Sequence, residues 1–456
     1  MENRDLELGV MENMIPERVK LFLDRVEKEH NLNEQITPSI RRAPRTLRVL
    51  SSWSFSPRVV SIGPLHRDNK KVKAFERQKA TYLTNLMNHI TSSTPGVIMN
   101  SCMEKVYASM KKIKACYVLT KKYDDVEFAE MMVMDACFIL GFIHQTFKLK
   151  SADMFHAEDV VCDLVLLENQ IPFFFLEEIF KCTIAKLMPN TSLVVFMHPV
   201  LSILNLFNSD VDLNILKNIS VDDTHHILSL LHECYKPQFS SKPQKNEIIL
   251  KEFSSKPQKN EIILKEFSIT KPHSAVDLDK AGVKFKPNRS PTWVLGMKME
   301  FPCFLWSWCK CTLRMPIFYV TDFTEVTLRN LLAYEELRQT HDYITSYAFV
   351  INMLVNTQDD VAKLVDSEVL VNVMGSNEEV AKMINKICKE LAVVNSLYRQ
   401  QWKTLDEYYN SYWPKHIGWM RRTYFSSPWN IIALIVGSII FALTIVQAIF
   451  TIGDEK

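Results

Sequence analysis

FAEMMVMDACFILGF (Phe128 to Phe142) and AEDVVCDLVLLENQIPFFFLEEIFKCTIAKLM (Ala157 to Met188) are the two stretches on which the fold of this chain turns. The first is apolar around almost the whole helical circumference, so a helix over residues 125–148 has to be buried on most sides. In the second, Pro172 has no N–H to donate and crowds the turn before it, so the helical pattern breaks or kinks after Gln170. Glu168, Asn169 and Gln170 sit there between two apolar runs and are read as hydrogen-bonded structural groups at the kink. The chain passes through its core at this point, and the fold class is mainly α.

Outward from this centre the pattern stays helical. Residues 69–92 and 101–122 alternate basic and apolar positions at helical spacing. From about Val221 to Thr270 order is expected to weaken. FSSKPQKNEIILKE at Phe239 to Glu252 is repeated unchanged at Phe253 to Glu266, a 14-residue tandem duplication in a loop at about 236–272. Two copies are too few for a solenoid, so the segment is read as a tolerated insertion. Ser274 and Asp277 form a capping box closed by Gly282, and a small β element is expected at about residues 283–320. Asp322 is read as capping the next helix, DDVAKLVDSEVLVN continues the helical run, and Ser376 with Glu379 opens another helix. The implied organisation is an amino-terminal segment (1–40), one large helical domain (41–425), a carboxy-terminal helix and a tail (453–456).

Between Arg422 and Asp454 there is no charged residue, and Ile431 to Ile452 reads as a transmembrane helix, since about 20 apolar residues cover a bilayer core. Lys415, Arg421 and Arg422 precede it and Lys456 follows, which by the positive-inside rule places the bulk of the chain in the cytoplasm. A single-pass protein of the plasma membrane or another endomembrane is expected, without an amino-terminal signal sequence. Ala433 with Gly437, and Ser438 with Ala442, have the small-xxx-small spacing of a helix dimer face, so a homo-oligomer is a further expectation.

Composition narrows the function. The 456 residues are 47% hydrophobic and 23% charged with a formal net charge of +2, which suits a large globular chain and carries no nucleic-acid signature. Ten glycines, never closer than Gly282 and Gly296, leave no room for GxGxxG, GxxxxGK[ST] or GxSxG. No cofactor site is therefore expected. Cys303, Cys309 and Cys311 lack a nearby fourth ligand, and His225, His226, His232 and Cys234 lack metal-ligand spacings, so no metal is expected either. His66, Asp135 and Glu168 are the residues on which an unrecognised hydrolase or transferase would have to be built.

PRVVSIGPLHR (Pro57 to Arg67), MDACFILGF (Met134 to Phe142), DLVLLENQIPFFFLEEIF (Asp163 to Phe180), SAVDLDKAGVKFK (Ser274 to Lys286) and MPIFYVTDFTEVTLRNLLAYEEL (Met315 to Leu337) occur in this order. ITSYAFVINMLVNTQDDV (Ile344 to Val361) and YFSSPWNIIALIVGSIIFALTIVQAIF (Tyr424 to Phe450) follow. In these segments the chain resembles the plant-specific family of domain of unknown function 247, an uncharacterised transmembrane family, from about residue 40 to its end. It departs from the family where ITPSIRRAPRTLRVL (Ile36 to Leu50) replaces a cysteine-containing stretch, and at Leu65 and Arg67. The resemblance implies no established catalytic activity. Some grass members of that family look like pollen-side determinants of self-incompatibility, a recognition role. The expectation is a non-enzymatic, membrane-anchored protein that binds or signals through its helical body, with the bilayer and a protein as partners.

Overall fold

The structure is a computed structural model that describes residues 38–119, 121–150, 157–207, 211–221, 224–237, 273–289, 293–301, 311–338, 342–388, 397–410 and 428–454. Within the last range it describes the side chains of 429–430 and 432–448. The duplicated segment, Lys415, Arg421, Arg422, Cys303 and Cys309 lie outside the described residues. The chain divides into two compact units, Met1–Leu201 with Asp212–Leu230, and Ser202–Val211 with Leu231–Lys456.

The helices of the first unit that frame the site are α1 (Arg45–Leu50), α2 (Glu76–His89), α3 (Pro95–Ala115), α4 (Asp125–Ile143), α5 (Ala157–Val165) and α6 (Phe173–Cys182). Asp124 caps α4 by accepting from the Val126 amide at 3.0 Å, and 14 of the 19 residues of that helix are buried, as its all-round apolar composition requires. Helices α2, α3 and α6 pack around it. The closest approach is made possible by Gly141, where an added Cβ would lie 2.9 Å from the Tyr82 carbonyl oxygen of α2. Phe138 fills the seam, with its ring 5.7 Å from Phe75 and 5.4 Å from Tyr82, both edge to face.

The expected break before Pro172 is present but begins earlier, because α5 already ends at Val165. Two carboxamides explain the early stop. Asn169 Nδ2 donates to the Asp163 carbonyl at 2.9 Å, and Gln170 Nε2 donates to those of Leu164 and Leu166 at 2.7 and 2.8 Å. They satisfy carbonyls that further helical turns would otherwise have bonded.

In the second unit a three-stranded sheet is built from β1 (Lys284–Pro287), β2 (Lys298–Glu300) and β3 (Thr312–Met315). Strand β3 is central, parallel to β1 and antiparallel to β2, with Leu313 opposite both Phe285 and Met299. This is the β element expected near 283–320. A second, two-stranded parallel sheet pairs β4 (Phe318–Val320) with β5 (Leu370–Asn372). The residues of β5 read as part of a helical run in the sequence; in the structure the helix stops at Asp366, Glu368 takes a positive φ of 58°, and the chain turns into the strand. Among the described residues this unit contains α7 (Ala275–Lys280), α8 (Thr324–Arg338), α9 (Tyr343–Leu354), α10 (Gln358–Asp366), α11 (Asn377–Cys388), α12 (Arg399–Asn410) and α13 (Pro428–Asp454). Ser274 and Ser376 cap α7 and α11 through the Asp277 and Glu379 amides, as their spacing predicts.

The transmembrane expectation is corrected. Helix α13 forms and contains Ile431 and Ile452, but among the described residues no helix is long and apolar enough to cross a membrane. Ala433, Gly437, Ser438 and Ala442 are exposed on α13, and Ser438 and Thr444 donate to carbonyls one turn back, each at 2.8 Å.

Candidate functional site

The segment Pro57 to Arg67 has no regular structure of its own, and buried side chains from distant parts of the first unit hold it. Asp163 accepts from the amides of Arg58, Val59 and Val60, each at 2.8 Å. Asn169 Oδ1 takes the Ile62 amide at 2.7 Å and its Nδ2 returns a bond to the Val60 carbonyl at 3.0 Å. Asp135 Oδ2 takes the Gly63 amide at 2.8 Å, and Lys79, fully buried, bonds both Asp135 and the Ser61 carbonyl. In effect the strap replaces a β-ladder with side-chain acceptors, which satisfies its buried amides.

Gly63 is the point where the strap comes closest to the core. Its φ is +68°, and an added Cβ would lie 2.7 Å from the Gln170 carbonyl oxygen, an oxygen that also accepts from the Tyr117 hydroxyl at 3.0 Å. Burial pushes the Asp163 carboxyl up to about 6, against the pull of its three amides. It also raises Asp135, against Lys79 and the Gly63 amide, and raises Tyr117 well above its ordinary value. Beside them Glu76, drawn up by burial, is pulled below its usual range by Lys79 and Arg67.

Past Gly63 the strap emerges at a cleft of about 340 Å³, lined by Arg42, Arg48, His66, Asp68, Lys121 and Tyr123 among others. Behind its wall lies Glu168, whose side chain is fully buried. One oxygen of Glu168 accepts from the Ala43 amide at 3.0 Å and lies 3.4 Å from Arg48 Nε. The other lies 3.2 Å from His66 Nε2 and 3.7 Å from Arg42 Nη1. Yet Arg48 Nε, His66 Nε2 and Glu168 Oε2, all buried, complete no hydrogen bond of good geometry. They are in electrostatic contact while keeping directional bonding capacity. Lys121 pairs with Asp68 at 3.2 Å on the rim, and the Tyr123 hydroxyl donates to the Pro64 carbonyl at 2.9 Å.

Of the three residues proposed for a reaction centre, two meet. His66 and Glu168 are in contact, whereas Asp135 gives one oxygen to Lys79 and the other to Gly63 and does not line the cleft. Asn169 and Gln170 are structural groups, as read from the sequence. The arginines were missed, although RRAPRTLR (Arg41 to Arg48) is a dense basic run that points to an anion-facing edge. Elsewhere, His232 Nε2 bonds Glu335 at 2.8 Å, and among the described residues no group of three or more His, Cys, Asp or Glu is placed to hold a metal ion.

The sequence model of DUF247, a plant protein family of unknown function, matches residues 40–443. The chain is 25% identical over 452 residues to the UPF0481 protein At3g47200 of Arabidopsis thaliana, covering 91% of this chain and 87% of that one. It is 23% identical over 516 residues to the putative UPF0481 protein At3g02645 of Arabidopsis thaliana, covering 94% of this chain and 93% of that one. No solved structure matches it.

Proposed function

The chain belongs to DUF247, the plant protein family of unknown function, and we propose that it is a non-enzymatic binding protein whose ligand-binding surface is the cleft of its first unit. The observation that carries this reading is the layout around Glu168. Two arginines and a histidine face a buried carboxylate on one side and the cleft on the other, with buried polar atoms that complete no hydrogen bond inside the protein. A purely structural carboxylate is normally saturated by its neighbours, whereas unspent bonding capacity beside a concave surface suits a ligand. The absence of a reaction centre is supported by the acidic groups nearby: Asp135 and Asp163 are committed to a lysine and to backbone amides.

A second reading rests on the 3.2 Å contact between His66 and Glu168, a positioned imidazole and carboxylate of the kind used in general acid–base chemistry. Glu168 has no access to the cleft, so in that case His66 would touch the substrate and Glu168 would position it. Thermal-shift screening of the full chain against a small-molecule library, followed by mass spectrometry of each hit after prolonged incubation, separates the two. Binding is expected to raise the melting midpoint of the wild type, to be weakened in Arg42→Gln, and to return each hit chemically unchanged. Conversion of a hit that stops in His66→Gln establishes the second reading in place of the first.

A further inference from the structure

We propose that the cleft takes a small phosphate monoester, with its phosphoryl group held between Arg42 and Arg48 and against His66. The inference rests on the reading of the cleft as the ligand-binding surface and adds the chemistry of what it binds.

The donors come first. A guanidinium offers five N–H groups in a planar fork. Glu168 approaches Arg42 only at 3.7 Å and Arg48 only at 3.4 Å, and both side chains remain partly exposed, at 42% and 34%, where they line the cleft. Arg42 Nη2 also donates to the Leu65 carbonyl at 3.5 Å, which leaves further guanidinium N–H groups of both arginines open to a ligand. Arg48 Nε and His66 Nε2 are turned inward to Glu168, at 3.4 and 3.2 Å, which holds both side chains at the edge of the cleft. Two forks and an imidazole converging on one volume match a phosphoryl group, whose three terminal oxygens can each take a donor.

Charge points the same way. Arg42, Arg48 and Lys121 stand against Glu168 and Asp68, so three cations over two carboxylates leave one positive charge, which suits an anionic ligand. Glu168, fully buried, lies against both arginines, whose charges offset its own toward the ligand. A volume of about 340 Å³ admits the phosphoryl group with a small organic remainder.

The test uses the full chain in phosphate-free buffer, titrated by calorimetry with phenyl phosphate and with benzoate as the carboxylate of similar shape. Phenyl phosphate is expected to bind at least about tenfold more tightly than benzoate and to weaken at high salt. Arg42→Gln should reduce its affinity by about tenfold or more while leaving the circular dichroism and melting midpoint close to wild type, because Arg42 is half exposed. Arg48→Lys, which keeps the charge but removes the fork, should weaken phenyl phosphate more than benzoate. Equal affinities, tighter benzoate, silent phenyl phosphate, or an Arg42→Gln variant that binds as well as wild type would each overturn the phosphate assignment. If phenyl phosphate is silent while a library compound binds in an Arg42-dependent way, only this inference falls. If no compound depends on Arg42 or His66, the cleft reading falls with it.

Discussion

Glu168 in the first unit and Glu335 in the second are both buried glutamates next to a histidine, yet their surroundings differ in one decisive respect. Glu335 is saturated. It accepts from His232 Nε2 at 2.8 Å, from the amides of Ile344 and Thr345 at 2.9 and 2.8 Å, and from the Thr345 hydroxyl at 2.6 Å. Those amides open α9, so Glu335 acts as a helix cap supplied from α8, and its negative charge sits favourably at a helix start. Glu168 has one aligned donor, the Ala43 amide, and its other oxygen has none. The same residue type is thus a finished structural joint in one unit and an unfinished polar centre behind a cleft in the other. Burial alone does not tell the two apart; the tally of donors does.

The largest expected effect breaks the joint. Glu335→Ala leaves two helix-opening amides, a hydroxyl and His232 without their acceptor and should destabilise the second unit by about 3–5 kcal/mol. Native-state hydrogen exchange at Ile344 and Thr345 should accelerate first. Glu168→Ala should cost clearly less, about 1–2 kcal/mol, because it orphans one amide and leaves arginines that reach water. Equal losses by denaturant titration would erase the distinction between the two sites.

Next comes the strap. Gly63→Ala combines a φ of +68° with a Cβ 2.7 Å from a backbone oxygen and should cost about 2–3 kcal/mol. It should also displace His66, so ligand affinity is expected to fall along with stability. An alanine variant with unchanged melting midpoint would mean that the strap is not held against Gln170 as described.

The smallest effect concerns pH near the saturated glutamate. Asp342 is pushed up to about 6 by burial and by the charge of Glu335, with His232 opposing. Its folded value therefore exceeds its unfolded value of about 3.9. Its contribution is fully present below pH ~4 and is lost as pH rises through about 6. Asp342→Asn, which removes no side-chain cap bond, should flatten that loss, so that relative to wild type it gains on the order of 1 kcal/mol between pH 4 and 6. Parallel pH–stability profiles for variant and wild type would show that Asp342 has an ordinary carboxyl.

Much of the helical layout was legible in advance, because a helix is a local object: the all-round apolar run at Asp125–Ile143 and the serines at Ser274 and Ser376 declare themselves within a few residues. Asn169 and Gln170 could be read as structural for the same reason, since their carbonyl partners lie one or two turns away. The cleft was only half legible. His66 and Glu168 stood out as titratable groups in unusual contexts, but Ala43 lies 125 residues from Glu168, and Arg42 and Arg48 looked like part of an ordinary basic run. The parallel pairing of β4 with β5 was hidden because three-residue strands are too short to show a period of two. At the carboxy terminus, hydropathy alone overstated what the described structure supports.

By itself the sequence determined the mainly helical class, the serine caps at Ser274 and Ser376, the lack of glycine-dependent phosphate loops and membership of the plant family. All of these depend on residues close together in the chain or on composition, and neither needs a partner from elsewhere. Only the tertiary structure decided which buried acids are spent and which are not. Asp135, Asp163 and Glu335 are saturated by donors, whereas Glu168 retains an oxygen facing His66 and Arg42. The physical reason is that a carboxylate's role is set by the number and direction of donors within about 3 Å, and those donors come from segments that folding alone brings together.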